Sequence, residues 1–234
     1  MTIETQIDMN TKKQNIEKFV DFCKTNLDLT QEPPQGYQSV PLSALDAIFS
    51  IGIRYTTVCN IIERFCNKLE LDWRTSEVTT SEVLAKIEKV ELNTLTSEYL
   101  SANRTSSKNG ILKAEAYKRA LCVLKSNKIE RCSDVIKNAK DNAFESAFKA
   151  IPGQSSGISL KYFYMLCGDE DLVKPDRHII RFVSISLNKV TLTNQEVKDI
   201  PMLFKDACQL LKKERFDTTP RGLDYIIWNY MRKK

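Results

Sequence analysis

The sequence predicts an all-α protein, and three observations support this fold class. Apolar residues recur at helical spacing along almost the whole chain of 234 residues. Prolines and glycines separate these runs, and both residue types end helices. The one run rich in β-branched residues, "HIIRFVSIS", follows Asp176, which is a good helix cap. We therefore expect helices and no sheet.

The predicted helices follow in order along the chain. Paired prolines in "TQEPPQGYQSVP" end the first helix, and Thr80 or Ser81 is expected to cap the helix "TSEVLAKIEKV". The segments before the hairpin region are "KKQNIEKFVDFCKTNL", "LSALDAIFS", "YTTVCNIIERFCNKL", "TSEVLAKIEKV", "LTSEYLSAN", "ILKAEAYKRALCVLKSN" and "RCSDVIKNAKDNAFESAFKAI". The later segments are "SGISLKYFYMLCG", "DRHIIRFVSISL", "NQEVKDI", "PMLFKDACQLLKKE" and "TPRGLDYIIWNYMRKK".

Composition excludes several classes of protein. Apolar residues make up 42% and charged residues 28%, as in soluble globular proteins. No apolar stretch is long enough to span a bilayer, and the N-terminus is no signal peptide, so we expect a cytoplasmic protein, nucleoid-associated in a bacterium, with no membrane partner. The formal charge of +5 permits an acidic partner such as nucleic acid without requiring one.

Cysteine and histidine usage argues against metal chemistry. The seven cysteines are scattered, lie mostly in apolar helical patterns and form no C-x-x-C, so they are interpreted as reduced core thiols. His178 is the single histidine, which gives little support to a multi-histidine metal centre or a Ser-His-Asp hydrolase. We expect no metal site.

The stretch "AIPGQSSGIS" contains two of the seven glycines. Pro152 ends one helix, and Gly153 can adopt the positive φ of a sharp turn. Ser155 or Ser156 can cap the next helix, and Gly157 in its first turn permits a close approach. Backbone N–H groups at such a helix start can bind a phosphate, although an ordinary helix–helix turn explains the same residues.

Together with the later "VKPDRHIIRFV", this stretch resembles the helix-hairpin-helix (HhH-GPD) DNA glycosylase superfamily typified by endonuclease III. The family's hairpin reads Leu-Pro-Gly-x-Gly, and "IPGQS" is similar to it, with Ser155 at the second glycine. "KPDRHIIR" resembles the family's catalytic loop, which places Asp176 at the catalytic aspartate and His178 and Arg181 at its neighbours. "LDAIFSIGIRYTTVCNII", "KAEAYKRALCVL" and "LDYIIW" resemble flanking segments, so the likeness covers roughly residues 42 to 232.

The chain departs from that family at three functional features, one of which is Ser155 in place of the second glycine of the hairpin. The lysine that forms a Schiff base in bifunctional members falls on Gly157, and Lys161 lies one helical turn further on. No cysteine follows Cys208, so the C-terminal iron–sulfur site is absent. The resemblance therefore implies a monofunctional glycosylase without a cluster, with no metal cofactor and a monovalent cation at the hairpin, Ile151 to Ser156.

The resemblance also implies two helical subdomains that flank a DNA-binding cleft. Residues 42–150 would form the contiguous subdomain, and residues 1–41 plus 151–234 would form the second. The second subdomain would contain the helix-hairpin-helix, about residues 144–167, and the loop of the catalytic aspartate, about residues 169–178.

Asp176 is the expected catalytic residue, because a carboxylate beneath the sugar can stabilise an oxocarbenium-like charge and orient water. A plain helix N-cap is its structural alternative. His178 is expected to contact DNA or to form a hydrogen bond with the backbone, and Arg181 is expected to form a buried or interfacial ion pair. The remaining expected DNA contacts are Gly153, Gln154, Ser155, Ser156, Gly157, Ile53, Arg54 and Tyr55.

The loop from Ser50 to Thr57 is the expected DNA-probing loop, because an enzyme that flips a base commonly fills the gap with a side chain. Its isoleucines are equally well explained as core. A basic region further on could meet phosphates, or could be a solvated helix face. Asp46 is expected to face solvent, with a second acid near the pocket as the alternative. The basic region comprises Arg104, Lys108, Lys113, Lys118 and Arg119.

Two functions follow from the resemblance, and a third needs none of it. The first is a monofunctional glycosylase that hydrolyses the N-glycosidic bond of a damaged or modified base flipped out of duplex DNA, in base excision repair or a related DNA-modification pathway. The second is a catalytically inactive DNA-binding or lesion-recognition protein of the same fold. The third is a helical protein-interaction module.

Overall fold

A computed structural model describes residues 3–33, 36–138 and 141–234 of the chain. It leaves out residues 34 and 35 of the predicted break and residues 139 and 140 of a predicted helical segment. The described residues form helices and no strand, apart from one isolated bridge between Arg104 and Leu112, so the predicted all-α class is confirmed.

Most helices begin and end close to the predicted positions. The first begins at Ile3 and not at Lys12, and the predicted segment "RCSDVIKNAKDNAFESAFKAI" forms two helices. In chain order they are α1 (Ile3–Asn26), α2 (Val40–Phe49), α3 (Tyr55–Leu69), α4 (Thr80–Ile87), the short α5 (Leu92–Thr94), a π-helical turn (Leu95–Tyr99), α6 (Lys113–Ser126), α7 (Cys132–Asn138), α8 (Asn142–Lys149), α9 (Ile158–Leu166), α10 (Arg177–Ser186), α11 (Asn194–Lys213) and α12 (Pro220–Met231).

Three further local features differ from the predictions. The N-cap of α4 is Thr79, whose side chain accepts a hydrogen bond from the Glu82 amide while the Glu82 side chain accepts one from the Thr79 amide. "NQEVKDI" and "PMLFKDACQLLKKE" are one helix, α11, with Pro201 inside it. "LTSEYLSAN" forms only the π-helical turn and an extended segment, because Leu95 accepts the amide of Leu100.

Packing divides the chain into two compact units. The discontinuous unit comprises Met1–Pro34 and Glu170–Lys234, and the contiguous unit comprises Gln35–Asp169. The hairpin segment therefore belongs to the contiguous unit and not to the second subdomain that the resemblance implies. The reason is packing, since α9 lies against α2 and α8, with the rings of Phe148 and Phe163 stacked at 6.1 Å.

In the discontinuous unit, α1 packs against α10 and α11, and α12 packs against α10 and α11. Phe19 of α1 lies at the centre, fully buried. Its ring centroid is 6.0 Å from that of Phe182 and 5.2 Å from that of Phe204. Such aromatic pairs add about 1 kcal/mol each beyond the buried area, so this core holds α10 against α1.

In the contiguous unit, α2 is the central helix and every one of its residues is buried. It packs against α3, α4, α6 and α9. Because a helix that is apolar all round belongs in a core, the sequence of α2, which is apolar except at Ser43 and Asp46, accounts for its position. This unit carries both the predicted hairpin and the predicted probing loop.

Candidate active site

Asp176 is the N-cap of α10, as predicted. Its Oδ1 atom accepts hydrogen bonds from the backbone N–H groups of His178 (2.8 Å) and Ile179 (3.1 Å). A helix start leaves such amides unpaired and favours negative charge. The residue is half-buried, and in the described part of the chain its Oδ2 atom accepts no hydrogen bond. The carboxylate is thus fixed in direction with one oxygen available.

Asp224 of α12 is a second carboxyl group, and the charge of Asp176 acts on it. Its Oδ1 atom accepts a hydrogen bond from the Lys174 amide, at 3.1 Å. Burial raises the pKa of Asp224 to about 8, and the nearby charge of Asp176 acts in the same direction, while the Lys174 amide opposes the shift. Asp224 is therefore mainly protonated at neutral pH.

Asp224 is not among the site residues predicted from the sequence, although the sequence contains a signal for it. Asp224 is three residues before Ile227 and seven before Met231, and both of these apolar residues are buried. That spacing puts the aspartate on the buried face of α12. An acidic residue on an apolar helix face is a candidate for a perturbed pKa.

A polar brace holds the start of α12 next to the loop that leads to Asp176. Glu170 accepts hydrogen bonds from the Thr219 hydroxyl (2.7 Å) and from the Arg221 guanidinium. The Glu170 carbonyl also accepts the Arg221 amide, at 3.1 Å. Thr219 caps α12. The loop that leads to Asp176 and the start of the helix that carries Asp224 are therefore fixed to each other.

The other two residues of the "DRHIIR" motif lie beside this pair on α10. His178 is half-buried, and its Nε2 atom is 3.4 Å from Nε of Arg177, which donates to it. Arg181 is exposed and forms no ion pair with any described residue. The expected buried ion pair is therefore not observed, and an ion pair at an interface stays a prediction. The predicted DNA contact of His178 remains a prediction.

The hairpin residues between α8 and α9 form two tight turns. Gly153 and Gly157 have φ values of +88° and +70°, the left-handed conformation that glycine tolerates best. Ser155 and Ser156 are exposed. Among the residues that the structure describes, the amides of Gly153, Ser155 and Ser156 donate no hydrogen bond. These three amides have the properties expected of phosphate ligands.

Gln154 and Gly157 differ from the other predicted DNA contacts in the hairpin. Gln154 is 2% exposed, and its side chain accepts a hydrogen bond from the Ser159 hydroxyl. Its amide donates to the Ile151 carbonyl (2.9 Å), and the Gly157 amide donates to the Gln154 carbonyl (3.0 Å). Gln154 therefore supports the turn from inside, and Gly157, also buried, closes it.

The predicted probing loop lies between α2 and α3. Arg54 and Tyr55 are exposed, whereas Ile53 is half-buried, so the first two are better placed to contact a partner. Lys113, predicted to be part of a basic surface, is instead 2% exposed. Its Nζ atom donates to the carbonyl oxygens of Phe49 (3.0 Å) and Ile51 (2.6 Å), and so holds the end of α2 in place.

Asp46 of α2 is fully buried, which contradicts the expected solvent-facing position. It accepts hydrogen bonds from the hydroxyl groups of Tyr37 (2.8 Å) and Ser50 (2.5 Å). Burial raises the pKa of Tyr37, and the charge of Asp46 and the neighbouring Tyr55 and Tyr162 add to the effect. A buried carboxyl group that is bonded to the phenol of Tyr37 and to Ser50 thus lies next to the probing loop.

Fold and site together define an all-helical protein in which the Asp176 carboxylate caps α10 and its charge acts on the buried carboxyl group of Asp224. The chain belongs to the family described as Domain of unknown function (DUF8548), whose model matches residues 15–232. Neither the curated proteins nor the solved structures contain a match to the chain. Among the described residues, no group of three or more candidate ligands could hold a metal ion, and no helix is long and apolar enough to cross a membrane.

Proposed function

We propose that this protein is a monofunctional DNA glycosylase that hydrolyses the N-glycosidic bond of a damaged or modified base in duplex DNA. One observation carries the proposal: the half-buried Asp176 carboxylate is held by two backbone amides with its second oxygen available. A preorganised charge of this kind stabilises a transition state without having to reorganise during the reaction.

The chemistry assigned to Asp176 follows from the bond that breaks. As the base leaves, its glycosidic electron pair goes with it, and the sugar gains oxocarbenium character. A carboxylate fixed below the sugar stabilises that positive charge, and the same group can accept a proton from the attacking water. The products are the free base and an abasic site.

DNA backbone binding is assigned to the contiguous unit. The free amides of Gly153, Ser155 and Ser156 would hold a phosphate, and a monovalent cation at the carbonyl groups of Ile151 to Ser156 would complete that contact. Exposed Arg54 and Tyr55 would enter the duplex from the loop before α3. Phosphate binding by backbone amides needs no large basic surface, which is consistent with a net charge of only +5.

Strand cleavage is not part of the proposed activity. Gly157 occupies the position of the lyase lysine, and it is buried in the turn before α9. Lys161 is exposed on α9. Borohydride trapping should therefore give no covalent complex with DNA, because no amine forms a Schiff base with the abasic sugar.

A DNA-binding protein without catalysis is the second candidate. The capping role of Asp176 supports this candidate. An aspartate that accepts two hydrogen bonds from backbone amides at a helix start needs no catalytic role to explain its presence. The hairpin departures, Ser155 and Gly157, favour the same candidate. The location of this protein in the cytoplasm or nucleoid is a proposal that goes with either function.

Base release from a panel of duplexes tests the proposal. Each duplex carries one damaged or modified base, and alkali reveals the abasic sites. Wild type is compared with Asp176→Asn, which keeps a good N-cap but removes the charge. Asp217→Asn, an exposed change in the same unit, is the matched control.

The three possible results separate the candidates. Release by wild type and Asp217→Asn, with loss of at least about 100-fold for Asp176→Asn and unchanged DNA affinity, supports the glycosylase. Tight binding to one duplex without release from any supports the non-catalytic protein. Absence of both release and salt-dependent binding would show that this is not a DNA-binding protein.

A further inference from the structure

The backbone of Lys174 is held on both sides in the loop before α10. Its N–H group donates to the buried Asp224 carboxyl, at 3.1 Å, and its carbonyl accepts the Asp176 amide, at 2.6 Å. Asp176 then begins α10. One short chain of bonds therefore connects the Asp224 side chain to the backbone of the residue to which the reaction is assigned.

Asp224 itself is held rigidly. It lies in α12 between the buried Leu223 and Ile227, and the Glu170 brace fixes the first turn of that helix. Pro175, between Lys174 and Asp176, restricts the loop further because its ring fixes φ. The loop has little freedom as long as the carboxyl group at position 224 accepts the Lys174 amide.

We propose that Asp224 is a positioning residue for Asp176, since its hold on the Lys174 amide sets where α10 begins and where the Asp176 carboxylate points. The proposal rests on the function proposed above, because the position of Asp176 affects a rate only if the reaction occurs there. Asp224 has no contact with DNA in this scheme and acts through the loop alone.

The protonation of Asp224 gives this role a pH dependence. The charged groups that act on it are Asp176, Lys174 and Arg221. While Asp224 is protonated, it accepts the hydrogen bond from the Lys174 amide without placing a second negative charge beside Asp176. Once it ionises, the two carboxylates repel each other, and the loop and the start of α10 must adjust.

Two variants and a control test the positioning role. Asp224→Asn keeps an oxygen that accepts the Lys174 amide but cannot ionise, and Asp224→Ala removes the acceptor. Asp217→Asn is the exposed control. Two readouts are recorded from about pH 6 to about pH 10: single-turnover base release, and the NMR shifts of the His178 and Ile179 amides that donate to Asp176.

In wild type and in the control we expect both amide shifts to change with a midpoint near pH 8, the pKa of Asp224, and base release to fall over the same range. Asp224→Asn should keep the neutral rate within about twofold and lose both pH effects. Asp224→Ala should slow release by about 10- to 100-fold with unchanged DNA affinity, because small misplacements of a reacting group have effects of that size.

The two readouts separate failure of this proposal from failure of the proposed function. If the amide shifts follow Asp224 in wild type but no duplex releases a base, the glycosylase proposal fails and the positioning of Asp176 stands. If wild type releases a base while neither variant changes the shifts or the rate, the role of Asp224 is overturned and the function stands. Should Asp224→Ala fail to fold, Asp224→Asn still carries the test.

Discussion

Gly153 lies so close to Thr105 that a Cβ atom at position 153 would stand 2.7 Å from Oγ1 of Thr105 and closer still to its Cβ. Thr105 is itself fixed, because its amide donates to the Ile111 carbonyl at 2.9 Å. The first turn of the hairpin therefore needs glycine for two reasons, its positive φ and the lack of space.

Gly153→Ala should reduce the free energy of unfolding by about 2–5 kcal/mol, since strain at positive φ adds about 1–2 kcal/mol and overpacking about 1–3 kcal/mol. Gly52→Ala is the matched control, because Gly52 has a φ of +71° but a Cβ added there would meet no atom within 4 Å. In this control the free energy of unfolding should fall only by the part that strain at positive φ contributes. Urea unfolding measures both, and equal losses would show that Thr105 yields without cost.

Asp224→Asn should change how stability depends on pH. The folded pKa, about 8, lies above the unfolded value of about 3.9, so between these values the unfolded state holds fewer protons. The free energy of unfolding of wild type should therefore fall across this window relative to the variant, by at most about 1.4 kcal/mol per pH unit.

Denaturant unfolding of both proteins at a series of pH values measures this difference. The gap should widen from about pH 5 to about pH 8 and then stay constant, because above the folded pKa both states are ionised. Asp217→Asn serves as the exposed control and should run parallel to wild type. Parallel curves for Asp224→Asn would mean that Asp224 is ionised in the folded protein.

Lys113→Met should reduce the free energy of unfolding by about 1–3 kcal/mol, because it leaves the carbonyl groups of Phe49 and Ile51 without their donor inside the protein. Lys118→Met is the control on the same helix. Lys118 donates to the Glu88 carbonyl near the surface, and its loss should cost no more than about 0.5 kcal/mol. A similar loss for both variants would contradict a special role for Lys113 at the end of α2.

Arg54→Ala should weaken duplex DNA binding and lower the slope of log K against log salt by about 1, the change expected when one phosphate contact is lost. Arg64→Ala, a change in an exposed arginine further along α3, should leave the slope as in wild type. Fluorescence anisotropy at several salt concentrations measures both. An unchanged slope for Arg54→Ala would place the phosphate contacts elsewhere.

Most of the fold could be predicted because the relevant signals are local. The predicted segment for α3 has the bounds of the observed helix, Tyr55–Leu69, and Asp176 caps α10 as expected. The prediction of a helix end at Pro201 is wrong, although a proline normally ends or kinks a helix. The buried residues on both sides of it, Ile200 and Phe204, show that packing keeps α11 continuous.

The candidate site could be predicted only in part. Asp176 can be identified from its motif, and its capping bonds involve neighbours in sequence. Asp224 is 50 residues from the amide that it accepts, and Lys113 is 64 from the Phe49 carbonyl. No local pattern indicates such a distant pairing, so, as regards their partners, the sequence does not distinguish Asp224 and Lys113 from the other aspartates and lysines.

The amino-acid sequence by itself determined the helices, their caps and the glycine turn, because these depend on hydrogen bonds and steric contacts between residues a few positions apart. The tertiary structure alone decided which polar groups are buried. It placed Asp46, Gln154 and Asp224 away from water, and with them the pKa of about 8 at Asp224. Desolvation arises from all the elements packed around a group, and that packing exists only once the helices have assembled.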